Sequence, residues 1–161
     1  MFDGCSEVHE NFKIRSASEE DWSAILALQN SLNRPVRADS VATEFVVAIT
    51  DSIVGCGAVR KRGGLGYLYG LAVSKKWRKQ GIGHALTQQR LDWLRVQGVT
   101  SVFVLAMFWN IKFFRKHGFE LVPKSLLPSL LHLHGDFSQH WSARSALLSC
   151  NLPVINPTVN G

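Results

Sequence analysis

An α+β fold is what the residue pattern predicts, and three observations carry it. Residues 45–49 and 53–59 are β-rich runs joined by Thr50-Asp51-Ser52, a hairpin signal without the strongest Asn-Gly or Asp-Gly turn. A second turn, Arg62-Gly63-Gly64-Leu65-Gly66, leads into another β-rich run at residues 67–73, so three strands follow one another antiparallel. Beyond them the pattern changes to helix, strand, helix, strand, an order that puts helices against a mostly antiparallel sheet.

Taken in order, residues 12–15 read as a short first strand. Ser18-Glu19-Glu20-Asp21 carries the N-cap and acidic first turn of a helix, which continues through Trp22, Ile25, Leu26 and Leu28. Residues 33–40 contain Arg34, Pro35 and Arg37 and no apolar periodicity, so they read as a loop or a short second helix, the kind of segment that often builds substrate pockets. After the three strands, an amphipathic helix opens at Gly81, carries Ile82, Ala85, Leu86, Leu91 and Leu94, and stops near Gly98. Residues 102–105 form a buried-type strand, residues 111–116 are helical in pattern, and Gly118-Phe119-Glu120-Leu121 opens another strand after a glycine break. Pro123 and Pro128 then interrupt, residues 129–134 suit a helical turn, residues 146–148 a last short strand, and the polar tail from Pro153 reads as frayed.

Between the strand at residues 67–73 and the helix stands Arg78-Lys79-Gln80-Gly81-Ile82-Gly83. A turn of this kind aims backbone N–H groups, the positive end of the helix dipole and cationic side chains at one place, which suits a pyrophosphate. Gly81 and Gly83 have no Cβ, so the chain can bend sharply and an anion can come close, while Lys75, Lys76, Arg78 and Lys79 draw phosphates in. Read plainly, the same residues are a turn with a rim of solvated cations. The spacing is not Gly-x-Gly-x-x-Gly, and no Gly-Lys-Ser or Gly-Lys-Thr follows, so neither a simple dinucleotide nor a nucleoside triphosphate is indicated.

Composition narrows the setting. With 161 residues, 46% hydrophobic and 19% charged, the chain is expected to form one domain over residues 1–161, with a core from about residue 12 to residue 148. A formal charge of +6 and a pI near 9.6 suit a phosphate-rich ligand. Nucleic acid is not the expected partner, because the densest basic cluster abuts the glycine turn instead of running along a helix with interleaved aromatics. Cys5, Cys56 and Cys150 form no Cys-x-x-Cys and suggest neither a disulfide framework nor a zinc site. Asp3, Glu7 and Glu10 break the N-terminal region, and no apolar run reaches the ~18 residues of a membrane helix, so a soluble cytoplasmic protein with no membrane partner is expected. His132-x-His134 with Asp136 and His140 could face one way on an extended chain, but lacks a zinc spacing; no metal is expected, and metal analysis of the purified protein should find no stoichiometric zinc.

Three separated signals now align: Leu71-Ala72-Val73, the run from Arg78 through Leu86, and Asn110 followed by Phe113-Phe114-Arg115-Lys116-His117-Gly118-Phe119. Together they resemble the GNAT family of N-acetyltransferases over nearly the whole domain, with Arg78, Gly81 and Gly83 meeting its Arg/Gln-x-x-Gly-x-Gly/Ala motif. The resemblance implies a central, mostly antiparallel twisted sheet flanked by helices, and acetyl-coenzyme A as co-substrate. It places the pyrophosphate on Arg78, Lys79, Gln80, Gly81, Ile82 and Gly83, the pantetheine arm along Leu71, Ala72 and Val73, and the far wall at Asn110, Phe113 and Phe114. For these phenylalanines the competing role is core packing, which is the expected role of Phe119. A narrower likeness, to short amino-acid acetyltransferases of the N-acetylglutamate synthase type, rests on residues 118–123, Leu127-Pro128, Asp136-Phe137 and residues 141–146. The Cys-Pro that such relatives often carry near Trp141-Ser142 is absent.

Acyl transfer from a thioester to an amine needs the two held close, a neutral amine, a stabilised oxyanion and a proton for the departing thiolate. Positioning alone can remove on the order of 7 kcal/mol or more from the barrier. A backbone N–H on the strand of residues 71–73 is the expected oxyanion donor. Many relatives place a carboxylate near Tyr69-Gly70 and a tyrosine where Phe114 stands, and this chain has neither. An amine of pKa near ~10 still has to lose its proton, so Tyr69, Glu44 and His117 are the candidates for that work, against plain roles as strand residues and a helix-end cation. Arg34, Arg37 and Arg60 flank the expected acceptor pocket and are candidates for a substrate carboxylate. The expected function is acetyl-coenzyme A dependent N-acetylation of a small-molecule amine such as an amino acid. The alternatives are a non-catalytic acyl-coenzyme A sensor and acetylation of a protein amine. An exposed edge strand would allow a homodimer.

Overall fold

Gly55 and Gly57 show how closely this sheet is covered. A Cβ on Gly55 would lie 2.9 Å from Ile82 Cγ2, and one on Gly57 would lie 2.9 Å from the Arg90 guanidinium carbon. In the computed structural model these glycines belong to one of two compact units, Met1–Arg60 with Leu68–Arg90, the other being Lys61–Tyr67 with Leu91–Gly161. The structure describes residues 7–8, 11–32, 43–126 and 144–154.

The strands are β1 (Glu7–Val8), β2 (Lys13–Ser16), β3 (Thr43–Ile49), β4 (Ile53–Arg62), β5 (Leu65–Val73), β6 (Ser101–Met107), β7 (Glu120–Leu121) and β8 (Ser145–Asn151). The helices are α1 (Trp22–Ser31), α2 (Ile82–Val96) and α3 (Ile111–Arg115). In the first unit β1, β2, β3 and β4 pair antiparallel in sequence order, with Ile14 opposite Ala48 and Val47 opposite Cys56. Side chains alternate across a strand. Accordingly Val46 and Ala48 pack with Ile82, Ala85 and Leu86 of α2, while Val47 and Cys56 pack with Ile25 of α1. The two helices therefore cover opposite faces of this part of the sheet.

The start of α1 is tied to β2 through Asp21. Its carboxylate accepts the Ser18 N–H at 2.8 Å and a two-pronged contact from Arg15, at 2.6 Å and 2.9 Å. The Arg15 guanidinium, against the opposing effect of burial and with help from the Ser18 N–H, holds the Asp21 carboxyl well below the usual carboxylate range. A lowered folded-state pKa contributes stability that is complete above the unfolded value near ~3.9 and is lost as pH falls through the folded value. Asp21→Asn is thus expected to destabilise the protein by a constant amount near neutrality and by progressively less below about pH 4. Denaturant melts of both proteins across pH would show this, and a pH-independent difference would refute it.

In the second unit β8 pairs antiparallel with β6, Val104 opposite Leu148, and with β7, Leu121 opposite Leu148. Two helix ends are closed by glycine, one as expected and one not. At the end of α2, Gly98 has φ +78, its N–H reaches the Arg95 carbonyl at 3.1 Å, and the Val99 N–H reaches Leu94 at 3.0 Å. That is the left-handed glycine stop the sequence predicts. The same geometry recurs after α3: Gly118 has φ +87, its N–H bonds Arg115 at 3.0 Å, and the Phe119 N–H bonds Phe114 at 3.3 Å. Gly118-Phe119 therefore closes a helix instead of opening a strand, and β7 is confined to Glu120–Leu121. Phe119 is buried and packs edge-on to Phe114 at 5.7 Å, the core role expected of it. Strand β5 begins two positions earlier than predicted, at Leu65, because Gly63 alone supplies the left-handed turn, φ +58. The expected loop or helix at residues 33–40, the helical turn at residues 129–134 and His132, His134, Asp136 and His140 lie outside the described residues.

Candidate functional site

The turn from β5 into α2 is built by local bonds. The Ser74 N–H bonds the Val54 carbonyl at 2.7 Å, a single turn of 3-10 helix spans Lys75–Trp77, and Arg78 Nε donates to the Val73 carbonyl at 3.2 Å. Lys79, φ +63, and Gly81, φ +83, then both take left-handed conformations two residues apart. Such a path, ending on the first turn of a fifteen-residue helix, gathers N–H groups that have no intrahelical acceptor. Lys75, Lys76, Arg78, Lys79, Gln80 and Gly81 are exposed, and Ile82 is buried as the anchor of the turn. A Cβ on Gly81 would meet nothing within 4 Å, so the space beside it is open. The residues fit a pyrophosphate: donors, cations, space and a fixed frame. The sequence of the turn is also one-sided in charge: Lys75, Lys76, Arg78 and Lys79 occur in it and no Asp or Glu does.

Strand β5 leads into this turn. Gly70 has φ +65 in the strand interior, a one-residue irregularity that only glycine accepts readily. Its effect is visible in the packing. The Tyr69 ring lies 6.5 Å from Phe45, on the α1 side, whereas Leu71 and Val73 pack on the α2 side with Ile82 and Leu86. In an uninterrupted strand these odd-numbered residues would share a face. Ala72 is buried on the α1 side beside Cys56.

Among the remaining candidates, the structure brings Tyr69 and Arg60 together, with the Arg60 guanidinium carbon 5.8 Å from the ring centroid. Arg60 is buried at the end of β4, on a half-buried aromatic row in which Trp22 meets Phe45 at 5.1 Å and Phe45 meets Tyr69. Glu44 is exposed on β3, and because its neighbour Phe45 faces Tyr69, the alternation turns Glu44 to the other face. Arg34 and Arg37 lie outside the described residues. In the second unit Asn110 closes a 3-10 turn (Phe108–Asn110) and caps α3, Phe113 is half-buried, and Phe114 is buried. The His117 ring lies 5.4 Å from Phe113 at the end of α3, where a cation would face the helix carbonyls.

Two polar residues that the sequence reading passed over are buried here. Arg90, on α2, donates to the carbonyls of Leu86 at 3.2 Å, Ala58 at 2.9 Å and Tyr69 at 3.2 Å, and to Thr87 Oγ1 at 3.2 Å. No carboxylate among the described residues pairs with it, and burial lowers its pKa to about 10, so it stays charged at neutral pH. Gln29, on α1, donates from Nε2 to the Gly70 carbonyl at 2.6 Å and to Cys56 Sγ at 3.3 Å. Burial, the larger influence, pushes the Cys56 thiol up to about 11, which keeps it protonated at neutral pH. A signal for Arg90 existed: Ile82, Leu86, Arg90 and Leu94 recur every four residues and so share the buried face of α2.

Among the described residues no group of three or more His, Cys, Asp or Glu could hold a metal, and no helix is long and apolar enough to cross a membrane. A family model described as Acetyltransferase (GNAT) family matches residues 8–119. An uncharacterised N-acetyltransferase of Chlorobaculum tepidum is 32% identical over 125 residues, 71% of this chain and 79% of that protein. The N-acetylglutamate synthase of Neisseria gonorrhoeae, solved with coenzyme A and N-acetyl-glutamate, has a TM-score of 0.74 at 24% identity, covering 91% of this chain and 36% of that one. This chain thus spans about a third of the synthase's length. Rv2747 of Mycobacterium tuberculosis, solved with CoA and a second ligand, has a TM-score of 0.66 at 23% identity, covering 87% of this chain and 99% of that one. At these identities the solved structures show the fold alone.

Proposed function

The chain belongs to the acetyltransferase (GNAT) family, and from that premise we propose that it transfers an acetyl group from acetyl-coenzyme A to the primary amine of a small molecule, an amino acid being the first class to test. The observation that carries the reading is the turn at Lys79 and Gly81, two left-handed residues at the head of α2 with open space and exposed cations beside them. In this reading the N–H groups of residues 79–83 hold the pyrophosphate, and Leu71, Ala72 and Val73 offer backbone to the pantetheine arm.

Acceptor recognition is assigned to the Arg60 and Tyr69 pair. The guanidinium would meet the carboxylate of an amino acid, and Tyr69 would relay the amine proton towards water. Arg34 and Arg37 join the proposal as further carboxylate contacts. Arg60→Ala is expected to raise KM for a carboxylate-bearing acceptor about tenfold, the loss of one charge-assisted contact, with KM for acetyl-coenzyme A little changed. Steady-state kinetics would check it, and three unchanged constants in the Arg34, Arg37 and Arg60 alanine variants would remove the carboxylate reading.

The competing function is a non-catalytic acyl-coenzyme A sensor. Phe114 favours it, being a buried ring with no proton to give to a departing thiolate. Calorimetric titration with acetyl-coenzyme A, followed by thiol release against a panel of amino acids, separates the two. Binding with thiol released by one acceptor supports the enzyme, binding without release supports the sensor, and no binding overturns both.

A further inference from the structure

At the left-handed Gly70, two neighbouring carbonyls of β5 are each held by a side chain from a different helix. Arg90 of α2 holds the Tyr69 carbonyl at 3.2 Å, and Gln29 of α1 holds the Gly70 carbonyl at 2.6 Å. Since α1 and α2 cover opposite faces of this part of the sheet, the irregularity is gripped from both sides.

A peptide unit is planar and trans, so its carbonyl and the following N–H point in opposite directions. Whatever fixes the Tyr69 carbonyl fixes the aim of the Gly70 N–H, and whatever fixes the Gly70 carbonyl fixes the aim of the Leu71 N–H. Both grips are costly in isolation. Arg90 is a fully buried guanidinium with no carboxylate among the described residues, and the Gln29 Oε1 atom is buried without a hydrogen-bond partner. Apolar side chains would fill either position without those penalties, whereas only donors can set the two planes.

We infer that Gln29 and Arg90 are positioning residues for acyl transfer, which fix the two peptide planes around Gly70 so that one N–H of this bend, that of Gly70 or of Leu71, meets the acyl oxygen. The inference rests on the proposed function and deepens it, by assigning the aim of the oxyanion donor to side chains well outside the cofactor turn. A donor preset in this way lowers the barrier because nothing has to reorganise when the charge forms.

The test is nuclear magnetic resonance of 15N-labelled full-length protein, titrated with acetyl-coenzyme A and, separately, with S-ethyl-coenzyme A, which has the same handle and no acyl carbonyl. In the wild type the amides of residues 79–83 should respond alike to both ligands. The Gly70 or Leu71 amide proton should move further downfield with acetyl-coenzyme A. Gln29→Met keeps the shape and removes the donor. It should leave the response at residues 79–83 intact while an acetyl-specific shift at Leu71 is lost, and Arg90→Lys should do the same to one at Gly70. An acetyl-specific shift that survives in the variant of the residue gripping its peptide plane overturns the inference, as does its absence from the wild type. Failure of residues 79–83 to respond to either ligand overturns the cofactor reading instead. Should Gln29→Met lose its dispersed spectrum, Arg90→Lys carries the same comparison, because it keeps the buried charge and removes the branched guanidinium.

Discussion

Replacing Gly81 by valine is expected to weaken acetyl-coenzyme A binding about a hundredfold, a loss of ~2.8 kcal/mol, while lowering stability by a smaller amount. The two effects part company for a structural reason. At φ +83 a β-branched residue is strained by about 1–2 kcal/mol, yet its Cβ would meet no protein atom within 4 Å. The new methyl groups therefore enter open space at the turn that, in the proposed reading, the phosphates occupy beside the N–H groups. Calorimetric titration beside a thermal melt would read both numbers. Full affinity in a folded Gly81→Val protein would place the pyrophosphate elsewhere.

Adding one methyl at Gly57 should have the opposite signature, a stability loss of about 2 kcal/mol or more with no direct contact to ligand. The Cβ would lie 2.9 Å from both Cζ and Nε of Arg90. The guanidinium cannot retreat without giving up the carbonyls of Ala58, Tyr69 and Leu86. Since the clash is with one side chain, it should be strongly coupled to it. In an Arg90→Met background the same Gly57→Ala change should lose most of its cost, a coupling energy of about 1–2 kcal/mol in a double-mutant cycle followed by urea unfolding. Additive costs would show that the methyl is accommodated by some other movement.

How much of this was legible beforehand depends on the reach of each interaction. The turn before α2 could be read as a turn because its parts lie within six consecutive residues, Arg78 through Gly83, and its glycines act locally. The β3–β4 hairpin and the helix of residues 82–96 were legible for the same reason, through short-range alternation, period and a glycine stop. Gly118 misled because a left-handed glycine after five helical residues reads equally as a helix end or a strand start, and only the bonds from Gly118 and Phe119 decide. The partners of Gln29 and Arg90 were out of reach. Gln29 meets its carbonyl 41 positions away and Arg90 meets Ala58 across 32, so neither partner is visible in any local window. The irregularity at Gly70 was equally hidden, since a glycine within a strand pattern does not by itself declare a left-handed φ.

The exposed cations of the turn, Lys75, Lys76, Arg78 and Lys79, bear on time as much as on affinity. An anion in bulk water feels their positive field before it meets any shaped surface. That field shortens the search and leaves the depth of the final well to the turn itself. Raising the ionic strength should therefore slow arrival of acetyl-coenzyme A much more than it speeds departure, since screening beyond about 10 Å at 0.1 M salt removes the guidance but not the close contacts.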